Sequence, residues 1–155
     1  NIENIKYYRP TVLDIDTMQL LIKKEVEDGI ILHRSDDEIA TTIRSYICVE
    51  KDNKLIGFVA LHIHSKNLAE VRSLVISDKY RGYGLGKGLV LKCLEEARKL
   101  KIKEVLSLTY QQEFFEKLNF TQIDKETIPE HKIWADCIKC KHFPVCNEIA
   151  LTISI

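Results

Sequence analysis

A glycine-rich stretch in the middle of the chain has the residue types of an anion-binding loop. Glycines stand at positions 82, 84 and 86 between Arg81 and Lys87, after an apolar run and before a segment with helical spacing. The first backbone N–H groups of a helix have no partner inside it, and the helix dipole adds partial positive charge there. Because glycine has no Cβ, the backbone of such a loop can approach a bulky anion. The stretch therefore predicts a site for a pyrophosphate.

The spacing of these glycines differs from two common nucleotide-binding motifs. The dinucleotide motif G-x-G-x-x-G does not fit because the glycines alternate singly, and the phosphate loop G-x-x-x-x-G-K-[ST] fails because Gly88 follows Lys87. The pattern that fits is R-x-x-G-x-G, formed by Arg81, Gly84 and Gly86. From spacing alone, an ordinary helix start with flexible glycines remains the alternative.

Three polar side chains near the loop have types suited to acid–base or ligand chemistry. Alternation along the strand before the loop places Glu70 on one face with Arg72 and Leu74. Glu70 is either a base that takes a proton from an ammonium group or a partner of Arg72 or a cross-strand lysine. Arg72 lies in a strand read as buried, so it must be paired, bound to ligand or at the sheet edge. Tyr110 follows the next strand and is either a proton donor or a core or rim aromatic.

A second group of candidate ligands lies near the C-terminus: Cys137, Cys140, Cys146, His131 and His142. C-x-x-C is a spacing known from zinc sites. A second C-x-x-C is missing, however, so a fourth ligand would have to be a histidine or Asp136. We therefore favour packed or reactive thiols and predict no bound metal, and we expect Cys48 and Cys93 to be core residues.

Hydrophobic periodicity predicts a mixed chain of strands and helices around these residues. Predicted strands cover residues 5–9, 47–50, 55–64, 69–76, 103–109, 120–123 and 148–153. Predicted helices run from Asp14 or Asp16 to Glu27, from Ser35 to Tyr46, from the glycine loop to Leu100, and over residues 114–118. Ser35 and Glu38 form an S-x-x-E capping box at the second helix.

The composition excludes several classes of protein. The 155 residues suit one domain, and 23 basic against 23 acidic residues give a formal net charge of zero, which argues against a general nucleic-acid binder. No apolar run is long enough to span a bilayer and no signal peptide is visible, which predicts a cytoplasmic protein. Five cysteines in a reducing compartment make a disulfide framework unexpected.

The R-x-x-G-x-G pattern, after a strand and opening a helix, resembles the acetyl-CoA signature of the GNAT superfamily of N-acetyltransferases. The element order also resembles the GNAT fold over nearly the whole chain. The resemblance implies an α/β (α+β) fold with a mixed, mostly antiparallel sheet flanked by helices and splayed at the acetyl-CoA site. It also implies that acetyl-CoA contacts Leu74, Val75, Ile76, Arg81, Gly82, Tyr83, Gly84, Leu85, Gly86, Lys87 and Phe115.

Further stretches resemble the short, single-domain bacterial N-acetylglutamate synthases, namely residues 32–35, 69–74, 108–110, 114–120, 134–140 and 143–148. That family acetylates the α-amine of L-glutamate in the first step of arginine synthesis. The resemblance favours Glu70 as the base, with Tyr110 a candidate acid toward the CoA thiolate and the backbone N–H groups of residues 74–76 polarising the thioester. Arginine binds a carboxylate at two points, so Arg34 and Arg72 are our choices for the two carboxylates of glutamate, with Ser73 and Thr109 beside them.

The chain departs from the family pattern at three positions. Asn119 stands where glycine is usual, although Asn tolerates left-handed backbone, and His33 stands where proline is common. Phe115 occupies the position of a tyrosine that donates a proton in many GNAT enzymes, and phenylalanine cannot donate. The alternatives are therefore a GNAT enzyme for another small amine or a protein N-terminus, or a non-catalytic acetyl-CoA- or metal-binding regulator. A homodimer is one possible assembly.

Overall fold

The computed structural model describes residues 2–128 and 148–155. Within these ranges the strands are β1 (Ile5–Tyr8), β2 (Tyr46–Lys51), β3 (Lys54–Ile63), β4 (Leu68–Ile76), β5 (Glu104–Thr109), β6 (Thr121–Ile123) and β7 (Ile149–Ser154). The α-helices are α1 (Ile15–Glu27), α2 (Asp36–Thr41), α3 (Leu85–Lys99) and α4 (Gln112–Glu116). No helix of the described ranges is long and apolar enough to cross a lipid bilayer.

The strands form one mixed sheet in the order β1-β2-β3-β4-β5-β7-β6. The pair β4–β5 is parallel, and the other neighbouring strands of the described ranges are antiparallel. The ladder between β4 and β5 runs from Leu68 and Glu104 to Val71 and Ser107. Beyond that point the carboxyl ends of the two strands diverge, so the centre of the sheet is open on the side where the glycine loop begins.

Strand β4 carries a β-bulge just before the glycine loop. One residue of β3, Val59, faces two residues of β4, Ser73 and Leu74. Ser73 has a φ of +59°, in the left-handed region that non-glycine residues seldom adopt. A bulge bends its strand and redirects the side chains that follow it. This one therefore turns the end of β4 at the edge of the open region.

The bulge places Leu74 and Glu70 on opposite faces of the sheet. Arg72 pairs with Ala60, which belongs to the apolar cluster under α1 and α2. Leu74 packs instead against the cluster under α3. The expectation that Glu70, Arg72 and Leu74 share a face is therefore wrong for Leu74, since simple alternation does not allow for an inserted residue. Glu70 and Arg72 do share one, as expected from their separation of two.

The two faces of the sheet are covered by different helices. Leu89, Cys93 and Ala97 of α3 are fully buried against one face. Met18 and Ile22 of α1, with Ile39 of α2, are buried against the other. The glycine loop and the N-terminus of α3 are thereby held at the open end of the sheet.

Helix α2 begins as expected but ends early. The Ser35 hydroxyl accepts from the Glu38 backbone N–H at 3.1 Å, and the Glu38 carboxylate accepts from the Ser35 N–H at 3.0 Å, so the capping box is confirmed. The helix ends at Thr41, a 3₁₀ turn follows, and Tyr46 is a buried residue of β2 rather than the helix end. The Thr42 hydroxyl donates to the Glu38 carbonyl at 2.8 Å, a side-chain bond typical of a terminating helix.

Burial of Cys48 and Cys93 predicts a loss of stability at alkaline pH. Both are buried as expected, and burial raises the pKa of each thiol from 9.0 to about 12. Between these values the folded chain keeps protons that the unfolded chain releases, so the free energy of unfolding falls as pH rises above about 9. The variant Cys48→Ala/Cys93→Ala should lose less stability than wild type between about pH 7 and pH 10.5, measured by urea unfolding. Equal losses would contradict this prediction.

Candidate active site

The divergence of β4 and β5 opens a cleft of about 620 Å³. Its walls come from the end of β4, the glycine loop with the start of α3, the end of β5, α4, and the C-terminal end of α1. The cleft brings together these residues expected at the site: Arg72, Ser73, Leu74, Val75, Ile76, Arg81, Gly82, Gly84, Leu85, Gly86, Lys87, Thr109, Tyr110 and Phe115. Glu70, Arg34 and the exposed Tyr83 do not line it.

The glycine loop presents open backbone to the cleft. Gly82 and Gly84 have φ values of +86° and +77°, and a Cβ at either would meet no described atom within 4 Å. The hydrogen bond from the Gly88 N–H to the Gly84 carbonyl, at 3.0 Å, begins the helical ladder of α3. The N–H groups of residues 85–87 precede it and have no acceptor within the helix. Together with the helix dipole, they form the anion-binding geometry that the spacing predicts.

The glycines after position 84 are not required for a left-handed backbone. Gly86 has no positive φ, and its Cβ would make an ordinary contact of 3.6 Å with Phe114. A Cβ at Gly88 would collide with the phenol of Tyr7 from β1. Gly88 is therefore needed for packing between α3 and β1, a role that sequence reasoning missed because it depends on a distant strand.

The two basic residues of the loop have different surroundings. Arg81 forms ion pairs with Asp78 at 3.1 Å and with Glu25 of α1 at 3.6 Å, and its Nε donates to the Ile76 carbonyl at 3.4 Å. These contacts hold the loop against the end of β4. Lys87, in the first turn of α3, is exposed at the cleft. Arg81 is thus already shared between two carboxylates, whereas Lys87 adds charge at the helix N-terminus.

Gly84→Val is expected to weaken acetyl-CoA binding by about tenfold or more, because a branched side chain disfavours left-handed backbone and fills the open space in front of the loop. Gly86→Ala is the matched control, since its backbone is unstrained and its Cβ has room. Calorimetry with both variants, with the fold checked by circular dichroism, measures the difference. Wild-type affinity in a folded Gly84→Val protein would contradict the prediction.

Backbone groups of β4 form the other wall of the cleft. The N–H of Ser77 donates to the Ile56 carbonyl of β3 at 2.7 Å. Because strand N–H groups alternate in direction, the N–H of Val75 is also directed to β3 and those of Leu74 and Ile76 to the open side. Of the three backbone donors expected there, Leu74 and Ile76 are the two with access to a ligand.

The end of β5 and helix α4 supply a mixed polar and aromatic wall. Tyr110 is 39% exposed at the cleft, and the Thr109 hydroxyl accepts from the Gln111 N–H at 2.9 Å. Phe115 is buried, with edge-to-face contacts to Phe114 and Phe120 at 5.0 and 5.1 Å. Phe115 therefore acts as apolar packing at this wall, and Tyr110 supplies a phenol.

Asn119 follows helix α4, and Ser107 of β5 lies on the wall itself. Asn119, just beyond α4, has a φ of +72°, the left-handed backbone expected where glycine is usual. Sequence reasoning missed Ser107, whose buried hydroxyl-bearing side chain also lines the cleft. The sequence does contain a signal for this site, because Ser107 is a polar residue between Leu106 and Leu108 in the apolar run of β5.

A smaller pocket of about 170 Å³ adjoins the cleft. Arg72 lines both cavities, and Arg34 lines the smaller one together with Tyr46, Thr42, Ser45 and His62. Gln19 of α1 donates to the Arg34 carbonyl at 2.8 Å and so anchors the segment before α2. The structure thus brings together two arginines that lie far apart in the sequence.

Electrostatics in this smaller pocket favour an anion. Burial raises the pKa of the Tyr46 phenol, while the positive charges of Arg34 and Arg72 and a hydrogen bond with Thr42 oppose that rise. Tyr46 therefore remains a neutral phenol at physiological pH. Glu38 also lines the pocket, and its negative charge adds to the rise in the Tyr46 pKa. The guanidinium groups of Arg34 and Arg72 outnumber this one carboxylate, so the described lining of the pocket carries net positive charge.

Glu70 lies behind Arg72 rather than in either cavity. Its carboxylate is nearly buried, with Oε1 2.8 Å from Nε2 of His64 and 3.9 Å from Nε of Arg72. The ion pair with Arg72 considered for Glu70 is therefore present, and His64 is a partner that sequence reasoning missed. The role of Glu70 as base stays a prediction.

The C-terminal cluster of Cys137, Cys140, Cys146, His131 and His142 lies outside the described residues. Among the residues that the structure does describe, no three His, Cys, Asp or Glu side chains are grouped to hold a metal ion.

An open mixed sheet, a bulged central strand and a glycine loop at a helix N-terminus define an acetyltransferase of the GNAT class. The chain matches the acetyltransferase (GNAT) family over residues 13–120 and belongs to it. The expected fold class and enzyme class are therefore confirmed, as is acetyl-CoA, the acetyl donor of this class, as cosubstrate.

Two relatives show where the chain stands within this family. It is 35% identical over 124 residues to an uncharacterized N-acetyltransferase of Chlorobaculum tepidum, a match that covers 80% of this chain and 79% of that protein. It is 31% identical over 121 residues to an amino-acid acetyltransferase of Aeromonas salmonicida, covering 77% of this chain and 27% of the relative. The chain thus spans about a quarter of the length of the second relative.

Two solved structures share the fold. The N-acetylglutamate synthase of Neisseria gonorrhoeae, complexed with coenzyme A and N-acetyl-glutamate, has a TM-score of 0.85 and 23% identity over 97% of this chain and 35% of that one. A Mycobacterium tuberculosis protein in complex with CoA has a TM-score of 0.83 and 21% identity, covering 97% of this chain and 99% of that one.

Proposed function

We propose that this chain transfers the acetyl group of acetyl-CoA to the α-amine of L-glutamate, the reaction that begins arginine synthesis. The observation that carries the proposal is the small pocket in which Arg34 and Arg72 meet beside the cleft. Two arginines suit an acceptor with two carboxylates, because each planar guanidinium binds a carboxylate at two points. The amino-acid acetyltransferase among the relatives and the N-acetyl-glutamate complex of the Neisseria enzyme support this choice.

The cleft has the features needed for acetyl-CoA. The N–H groups of residues 85–87 and the charge of Lys87 suit the pyrophosphate. The gap between β4 and β5 has room for an extended arm that would hydrogen-bond to Leu74 and Ile76, much as a further strand would. The thioester would then lie near the bulge, where Arg72 joins the cleft to the acceptor pocket.

The acceptor amine must lose a proton before it attacks, because an α-ammonium is mostly protonated at neutral pH. Glu70 is the proposed base, and because it lines neither cavity, a water is the better carrier of the proton to its carboxylate. Attack forms the C–N bond and breaks the C–S bond, while an N–H of β4 stabilises the developing oxyanion. Tyr110 is the proposed donor of a proton to the departing thiolate.

The proposal is tested by measuring CoA release with a panel of acceptors: glutamate, glutamine, aspartate, small amines and short peptides. Glutamate should have the highest kcat/KM. A preference for peptides or simple amines would favour the broader acetyltransferase interpretation. Acetyl-CoA binding without turnover on any amine would instead indicate a regulator.

A further inference from the structure

We propose that His64 is a positioning residue for Glu70 and, through Glu70, for Arg72 in the acceptor pocket. The proposal rests on the proposed function, since Glu70 and Arg72 are its base and one of its carboxylate partners. His64 itself lines neither the cleft nor the smaller pocket. Any effect on the reaction must therefore pass through the residues that it contacts.

The hairpin of β3 and β4 places these side chains on one face. His62 is the direct cross-strand partner of Glu70, and His64 follows two residues later, so its side chain is on the same side. The His64 N–H donates to the Leu68 carbonyl at 2.9 Å, which anchors its backbone at the turn. From there Nε2 lies 2.8 Å from Glu70 Oε1, and the two side chains are 1% and 9% exposed.

The surroundings indicate which form of His64 makes this bond. Among the described residues no polar group pairs with the buried Nδ1 of His64. A proton on Nδ1 would leave a buried donor without an acceptor, which costs more than an unpaired ring nitrogen lone pair. The neutral tautomer with its proton on Nε2 fits best, and in this form His64 donates to the Glu70 carboxylate.

Apolar neighbours make this hydrogen bond important for Glu70. Leu68 precedes Glu70 by two residues on the same strand, and Leu106 of β5 is its cross-strand partner. Both leucines belong to a buried cluster with Ile128 and Ala150. A carboxylate beside such a cluster needs a charge-stabilising partner, and a hydrogen bond is stronger where water is excluded.

The same carboxylate joins His64 to the acceptor pocket. Arg72 Nε lies 3.9 Å from the oxygen that accepts from His64, and the His62 ring meets the His64 ring edge-on at 4.6 Å between centroids. Arg72 and His62 both line the pocket. His64 therefore supports, from behind, the wall on which the acceptor is proposed to bind.

The test compares His64→Leu, which keeps bulk but removes the donor, with His64→Gln, whose amide can donate from a similar position. We expect His64→Leu to lower kcat by about ten- to a hundredfold and His64→Gln to recover most of that loss, with the KM for acetyl-CoA nearly unchanged in both. Lys66→Leu, in the same turn but exposed, is the matched control. Wild-type kcat in His64→Leu, or no recovery in His64→Gln, would overturn the proposal.

A double-mutant cycle separates positioning from general packing. Because His64 is proposed to act through Glu70, His64→Leu should change kcat by less than about twofold when Glu70 is already Ala, which accepts no hydrogen bond from His64. A full, independent loss in that background would show that His64 acts by another route and would overturn the proposal. If His64→Leu does not fold, His64→Asn, whose shorter amide does not reach the Nε2 position, replaces it.

An experiment without turnover distinguishes failure of this inference from failure of the proposed function. The ¹⁵N NMR shifts of His64 in wild-type protein, assigned with the His64→Gln variant, report its tautomer near neutral pH. The Nε2–H tautomer is expected whatever the acceptor is. The Nδ1–H tautomer, which has no proton on Nε2 to donate to Glu70, would overturn the positioning role, even if glutamate is acetylated.

Discussion

Glu70→Gln is expected to lower kcat by about 10²- to 10⁴-fold, the usual contribution of a general base, with little change in acetyl-CoA affinity. Glutamine has nearly the same shape, and its carbonyl oxygen can still accept the hydrogen bond from His64, 2.8 Å away in wild type. The fold should therefore survive while the base is lost. Steady-state kinetics with calorimetry for acetyl-CoA measures the two effects separately.

Part of the lost rate should return at higher pH, because a larger fraction of the amine is then neutral without a base. Glu104→Gln, an exposed carboxylate at the far end of β5, is the matched control and should keep wild-type turnover. Turnover of Glu70→Gln equal to wild type near neutral pH would remove Glu70 from the mechanism.

Arg34→Ala and Arg72→Ala should each lower kcat/KM for glutamate by about ten- to a hundredfold, the value of a charge-assisted contact of roughly 1.5–3 kcal/mol. Acetyl-CoA affinity should stay nearly intact in Arg34→Ala, since Arg34 lies outside the cleft. Arg44→Ala, an exposed arginine four residues before Cys48 and outside both cavities, is the control for removing a positive charge.

The same variants assign each arginine to a carboxylate. Glutamine keeps the α-carboxylate but has no charge at its other end, so it should be a poor acceptor for wild-type protein. Replacing the arginine that binds the α-carboxylate should lower kcat/KM for glutamate and for glutamine by the same factor. Replacing the other arginine should reduce the difference in kcat/KM between glutamate and glutamine.

A third outcome is specific to Arg72, whose Nε lies 3.9 Å from the Glu70 carboxylate. If its main role is to orient Glu70, Arg72→Ala will lower kcat for every acceptor and leave the glutamate preference unchanged. An unchanged preference in both variants, or wild-type activity on glutamine equal to that on glutamate, would contradict glutamate as the acceptor. The broader small-amine function would then take its place.

Local patterns in the sequence predicted most elements and the geometry of the glycine loop, and the resemblance of the loop motif and element order to the GNAT superfamily implied the fold class. The strand, the glycines and the helix that follow one another from residue 71 to residue 100 depend on contacts between near neighbours, so their spacing shows the geometry. The positive φ at Gly84, the capping box of Ser35 and the left-handed Asn119 are of this kind. Periodicity also indicated most strands, because one buried face leaves a repeating signal.

Tertiary structure alone decided which residues meet at the site. The bulge at Ser73 turns Leu74 away from Glu70, and β2 takes Tyr46 out of the predicted helix. The contact between His64 and Glu70 depends on the register of β3 against β4, and the pocket of Arg34 and Arg72 depends on how the segment before α2 packs on the sheet. Register and packing are set by many weak contacts between distant residues, and no local spacing encodes them.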